Sequence, residues 1–99
     1  MIRLFRMRSG EDVIGDVVSE NQEFINVEKP AVLMPMPDGR GGTVQMGMVP
    51  WQPFSKSKDF QIPRDWVVTD TEPADDIADG WRSNFGSGIE VPKQSMLLS

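Results

Sequence analysis

The chain contains no cysteine and no histidine. The first absence excludes a disulfide framework, a thiolate nucleophile and a thiolate metal site. The second removes the commonest general base and metal ligand. No apolar run approaches the roughly 20 residues that span a bilayer. Charge interrupts the apolar pattern of Met1-Ile2-Arg3-Leu4-Phe5-Arg6, so this stretch does not read as a signal peptide. A cytoplasmic protein is the expectation. Catalytic arrangements are missing as well. No Ser-His-Asp or Cys-His set can be assembled, and Gly39, Gly41 and Gly42 lack the lysine and helix that complete a phosphate loop. The carboxylates Asp70, Glu72, Asp75, Asp76 and Asp79 lack the spacing of a calcium loop and read as a solvated face. The expectation is a protein that is not an enzyme and holds no cofactor and no metal.

What is present is turn chemistry. Nine glycines and eight prolines in 99 residues break the chain every few positions, which favours short strands over long helices. One domain with one modest core fits this length. The net charge of −5 is not evenly spread. Residues 1–64 hold eight basic and eight acidic side chains, whereas residues 65–99 hold two basic and seven acidic. That distribution argues against a broad basic surface but leaves the first two-thirds open to a nucleic-acid partner.

The chain is organised around Met7-Arg8-Ser9-Gly10-Glu11-Asp12-Val13-Ile14-Gly15-Asp16-Val17, read as two strands joined at Ser9–Asp12. Gly15 weakens its strand unless it marks a sharp bend, as where a small barrel closes. Strands are expected over residues 2–8, 13–19 and 24–34, the last interrupted by Pro30 at a bulge or edge. A turn at residues 37–42 leads to a bent fourth strand over 43–54. A loop with Lys56 and Lys58, a short strand at 60–62 and a tight or 3₁₀ turn at 63–65 precede a last strand over 66–72. The period then changes: Ala74, Ile77, Ala78, Trp81 and Phe85 form one stripe of a helix over 74–85. Pro73 suits the first helical position and Gly86 the C-terminal cap. Gly80 weakens so short a helix, so its Trp81 face should dock on the strands or on a neighbour. Residues 1–73 form the barrel, and residues 74–99 a helix and tail packed on it, with one short strand possible at 89–91. Trp51 and Phe54 are read as buried aromatics rather than as base-stacking platforms, and Pro50-x-x-Pro53 as a bent edge strand rather than a polyproline ligand.

Several short motifs carry a family resemblance. Met7-x-x-Gly10 with Val13-x-Gly15, Glu23-Phe24-Ile25-Asn26, and the run from Ile62 to Val67 resemble the two motifs of the Sm-like family over about residues 3–72. The proline-rich fourth strand and Trp66-Val67-Val68 are similar to a divergent Sm-like group encoded by marine cyanophages. Glu23 stands where the family has Asp, and Asp65 where it has Gly. The resemblance implies a five-stranded, strongly bent antiparallel β-barrel. It also implies a homo-oligomeric ring of about five to seven subunits, closed head to tail by fourth-to-fifth-strand pairing. Function follows by the same resemblance: binding of single-stranded RNA, or DNA, in nucleic-acid processing. Phe24 would stack a base, Asn26 would bond a base edge and Arg64 would meet phosphate, with Lys56 and Lys58 adding phosphate contacts. The alternatives are a structural or protein-interaction ring, or a Src-homology-3-like peptide module. The last is suggested by Ile62–Val67, although the first turn lacks the aromatic residue such a groove needs.

Overall fold

The computed structural model describes residues 1–37 and 44–86. The fold is mainly β: strands β1 (Ile2–Met7), β2 (Asp12–Glu20), β3 (Phe24–Pro37), β4 (Val44–Pro50), β5 (Asp59–Pro63) and β6 (Val67–Thr71) precede one helix, α1 (Asp75–Trp81). Every pairing is antiparallel. The sheet runs β4-β3-β2-β1-β6, and β5 pairs the first half of β3. The expected hairpin is present, with Gly10 at a φ of 103° in its turn and Gly10 N–H donating to Met7 O at 2.9 Å.

Six strands are present, as many as the segments read from the sequence and one more than the five-stranded barrel has, and the sheet is not closed. The fourth strand ends at Pro50 instead of running on to residue 54. Pro50 and Pro53 offer no ladder donor, so the chain leaves the sheet and rejoins it only at Asp59. β5 and β6 are joined by a 3₁₀ turn at Arg64–Trp66 and not by a ladder. That turn is tied at both sides: Arg64 N–H donates to Glu23 O at 2.8 Å, and Arg8 N–H to Trp66 O at 2.9 Å. The turn at 38–42, Thr43 and the strand at 89–91 lie outside the described residues.

The bend is built at one point. Ile14 faces Ala31 and Asp16 faces Glu28, so Lys29 and Pro30 together oppose the single residue Gly15. This is a β-bulge, the position sought for Pro30, and Lys29 holds a φ of 50° in it. A side chain at residue 15 would not fit: its Cβ would lie 2.4 Å from Val27 Cγ1 and 3.2 Å from Glu28 O. Lys29 is held on three sides. Its N–H donates to Lys58 O at 2.7 Å and its Nζ to Phe85 O at 3.1 Å, while its carbonyl accepts from Trp81 Nε1 at 3.0 Å.

The bulge shifts the side-chain alternation of β3 and divides the apolar residues into two clusters. Phe5, Met7, Val13, Val17, Ile25, Val27 and Ile62 fill the inside of the bent sheet, with Val32, Trp51 and Val67 against them. Ile14, Ala31 and Trp81 form the second cluster, with Leu4, Leu33, Met48, Ile77 and Phe85 around them. The Trp81 face of α1 therefore docks on the outer face of β1–β4, as Gly80 required. Helical residues continue as a π-type turn over Arg82–Gly86. A Cβ on Gly86 would lie 2.2 Å from Trp81 Cζ3, so close ring contact holds this position to glycine. Pro73 lies one residue before the N-cap, Ala74, and is buried instead of opening the helix. Each fully buried Phe, Ile, Val or Met contributes about 1.5–3 kcal/mol relative to exposure.

Candidate nucleic-acid interface

The antiparallel pairing of β3 with β5 places Phe24 opposite Pro63 and Asn26 opposite Gln61. Segments about 40 residues apart in sequence thereby become neighbours. Gln22, Glu23, Phe24, Pro63, Arg64 and Asp65 line an open hollow of about 570 Å³. The loop on one side is set by Asn21, whose Oδ1 accepts from the Glu23 and Phe24 N–H groups, each at 2.8 Å. Such a side-chain-to-backbone turn is what Asn provides most readily. Phe24 is left half-buried beside Arg64. An aromatic ring and a guanidinium in one open hollow can stack a base and meet an anion.

Arg64 is not idle there. Its Nε donates to Asn21 O, and its Nη2 pairs with Glu20. Glu20 in turn accepts both terminal nitrogens of Arg3, at 2.9 and 3.0 Å. Arg3 also donates through Nε to Asp70 at 2.9 Å. The chain Arg64–Glu20–Arg3–Asp70 thus crosses from the 3₁₀ turn over β2 and β1 to β6. Hydrogen bonds from Arg3, then from Arg64, pull the Glu20 carboxyl down from 4.5 to about 2. Hydrogen bonds from Asp70 and Glu20 raise the already high Arg3 pKa. The ion pair of Arg64 with Glu20 is about one-third exposed on both sides, so solvent and salt can loosen it.

Asn26 lies on the outer face of β3, and its Nδ2 donates to Ser19 Oγ at 2.7 Å. Lys56 and Lys58 are exposed but stand beyond the far end of β5 from Arg64. At about 3.3 Å per residue that separation is roughly 20 Å. The five expected residues therefore fall into two groups: Phe24, Asn26 and Arg64 at one end of β5, Lys56 and Lys58 at the other. Sequence reasoning missed two things. Glu20 has no local signal of its role, because its partner lies 44 residues away. Phe54, expected in the core, is 100% exposed. Trp51 does join the inner cluster, packing edge-on to Phe60 with ring centroids 5.9 Å apart.

Comparison with models of known protein families finds no match, and comparison with curated protein sequences finds no significant relative. Among the described residues no helix is long and apolar enough to cross a membrane. No group of three or more carboxylates among them is placed to hold a metal ion.

Proposed function

We propose that this chain is a non-enzymatic Sm-like protein that binds single-stranded RNA, and DNA of the same form, as a homo-oligomeric ring in nucleic-acid processing. One observation carries the reading: residues 22–24 and 63–65 converge in a hollow that combines the Phe24 ring with the Arg64 guanidinium. Phe24 lies in the segment that resembles the first Sm-like motif, and Arg64 in the one that resembles the second, set one place late by Pro63. Single-stranded bases are recognised by stacking on aromatic rings and arginine planes, with phosphates met by cations. Asn26, one register step away, adds an amide for a base edge.

The sheet supports assembly. It ends in β4 on one side and β6 on the other. Described residues Val44–Pro50 of β4 carry no charge, and Val67–Thr71 of β6 carry one, Asp70. Uncharged edges invite pairing with another chain. In the proposed ring, β4 of one subunit pairs with β6 of the next, the bent sheet of each subunit acts as a small barrel, and about five to seven copies close the circle. Each copy repeats Phe24 and Arg64, so weak contacts add through multivalency.

Fluorescence anisotropy with short labelled RNA and DNA oligomers across a salt series tests the function. Affinity should fall steeply as salt rises. Arg64→Ala should weaken binding at least about fivefold, the loss of one charged contact, while Lys93→Ala should leave it unchanged. Absence of binding to any oligomer at low salt would refute the proposal.

A further inference from the structure

The loop between β4 and β5 is the least expected surface of the molecule. It is an ordered loop, not a loose one. Trp51 N–H donates to Pro30 O at 2.9 Å, and Trp51 Nε1 to Glu11 Oε2 at 3.2 Å. Ser55 Oγ accepts from Ser57 N–H at 3.0 Å, and Ser57 Oγ donates to Asp59 O at 2.9 Å. The carbonyl of Lys58 accepts from Lys29 N–H. This frame presents Phe54 entirely to solvent, with Lys56 and Lys58 exposed behind it. Neither lysine forms an ion pair among the described residues. A single exposed apolar residue is ordinary. A fully exposed ring on an anchored loop, two and four residues from unpaired cations, has the parts of a stacking platform with phosphate contacts.

The register connects this loop to the hollow. Phe24 opposite Pro63, Asn26 opposite Gln61 and Glu28 opposite Asp59 share the outer face of β3 and β5, while Ile25, Val27 and Ile62 point into the core. A strip therefore runs from Phe24 and Arg64, past two amides, to Asp59, where the loop that carries Phe54, Lys56 and Lys58 enters β5. The hollow and the adjoining loop each offer an aromatic ring and positive charge. Glu28 and Asp59 interrupt the strip with negative charge, which repels phosphate there and accepts from base amino groups instead.

We infer that single-stranded nucleic acid binds along this strip, from the Phe24–Arg64 hollow to a second stacking point at Phe54, with Lys56 and Lys58 on its phosphates. The inference rests on the function proposed above and adds the path and the far contact. A strand spanning roughly 20 Å of β-structure needs at least about four nucleotides, the small end of single-strand site sizes.

Anisotropy with labelled single-stranded oligomers of about two, four and eight nucleotides tests it. Affinity should rise sharply between the first two lengths. Phe54→Ala should weaken binding of the eight-nucleotide probe roughly 5- to 150-fold, the loss of one base stack, and Phe54→Trp should restore it. Lys56→Ala and Lys58→Ala should each flatten the salt dependence by about 0.7 in slope. Phe54 touches no core, so urea unfolding of Phe54→Ala should match that of the parent protein. If Phe54→Ala binds the long probe as the parent does, while Arg64→Ala still weakens it, the strip is refuted and the hollow stands. If Phe54→Ala alters the molar mass but not affinity, Phe54 is a protein contact and the inference fails. If the parent binds no probe, the functional reading itself fails.

Discussion

Glu20 decides what Arg64 can do. Its carboxylate pairs with the guanidinium, so in the proposed complex a phosphate and Glu20 would compete for one cation. Removing the competitor should tighten binding. Glu20→Gln is expected to raise oligomer affinity about two- to fivefold, the size of one exposed ion pair, in the same anisotropy titration. Acid should have a related effect on stability. The Glu20 pKa is depressed from 4.5 to about 2 in the folded protein. Its contribution is therefore fully present above 4.5 and disappears as the pH falls from there towards 2. Urea midpoints measured across that window should decline less steeply for Glu20→Gln than for the parent. Phe24, Asn26 and Arg64 could be named from the sequence because each lies in a short motif-like segment. Glu20 could not, because a salt bridge between residues 20 and 64 exists only once β2 and the 3₁₀ turn are side by side. Phe54 misled for another reason: aromatic rings are usually buried, and nothing in the local sequence shows that Pro50 and Pro53 take this segment out of the sheet.

Element boundaries were largely legible because turn chemistry is local. Gly10 and Pro30 mark a hairpin and a bulge where those residues indicated, and the 3₁₀ turn expected at 63–65 forms one residue later, at Arg64–Trp66. The helical stripe is equally clear, with Ala78 and Trp81 buried and Ile77 and Phe85 partly so, although Ala74 stays exposed. The early end of the fourth strand at Pro50 was less legible, since a proline within a strand-like run fits either an edge or an exit from the sheet. Gly15 and the Lys29–Pro30 bulge form one device: the bulge crosses where a side chain at residue 15 would sit. Gly15→Ala should therefore cost about 1–3 kcal/mol, as overpacking does, measured by chemical denaturation. The main loss should come from displacement of Val27 and the β3 backbone.

At the scale of the molecule, the sheet is two-sided only over part of its area. Helix α1 covers the outer face of the second half of β3, while the first half, with β5, is open to solvent and carries the proposed ligand path. The free edges β4 and β6 are what the proposed ring joins. Val68, bulged from β6 and 61% exposed, lies on one of them. A charge there opposes edge pairing. Val68→Lys should reduce the molar mass found by light scattering to that of one chain, with stability changed by no more than about 0.5 kcal/mol. The claim on which all of this rests is that nucleic acid enters the hollow beside Phe24. Ultraviolet crosslinking of the intact protein to an RNA oligomer containing 4-thiouridine, with the adducts mapped by mass spectrometry, examines that place directly. The account predicts adducts on the peptide that contains Phe24, lost in excess unlabelled oligomer and reduced in Arg64→Ala. Adducts confined to other segments, or none above the level given by an unrelated acidic protein, would contradict it.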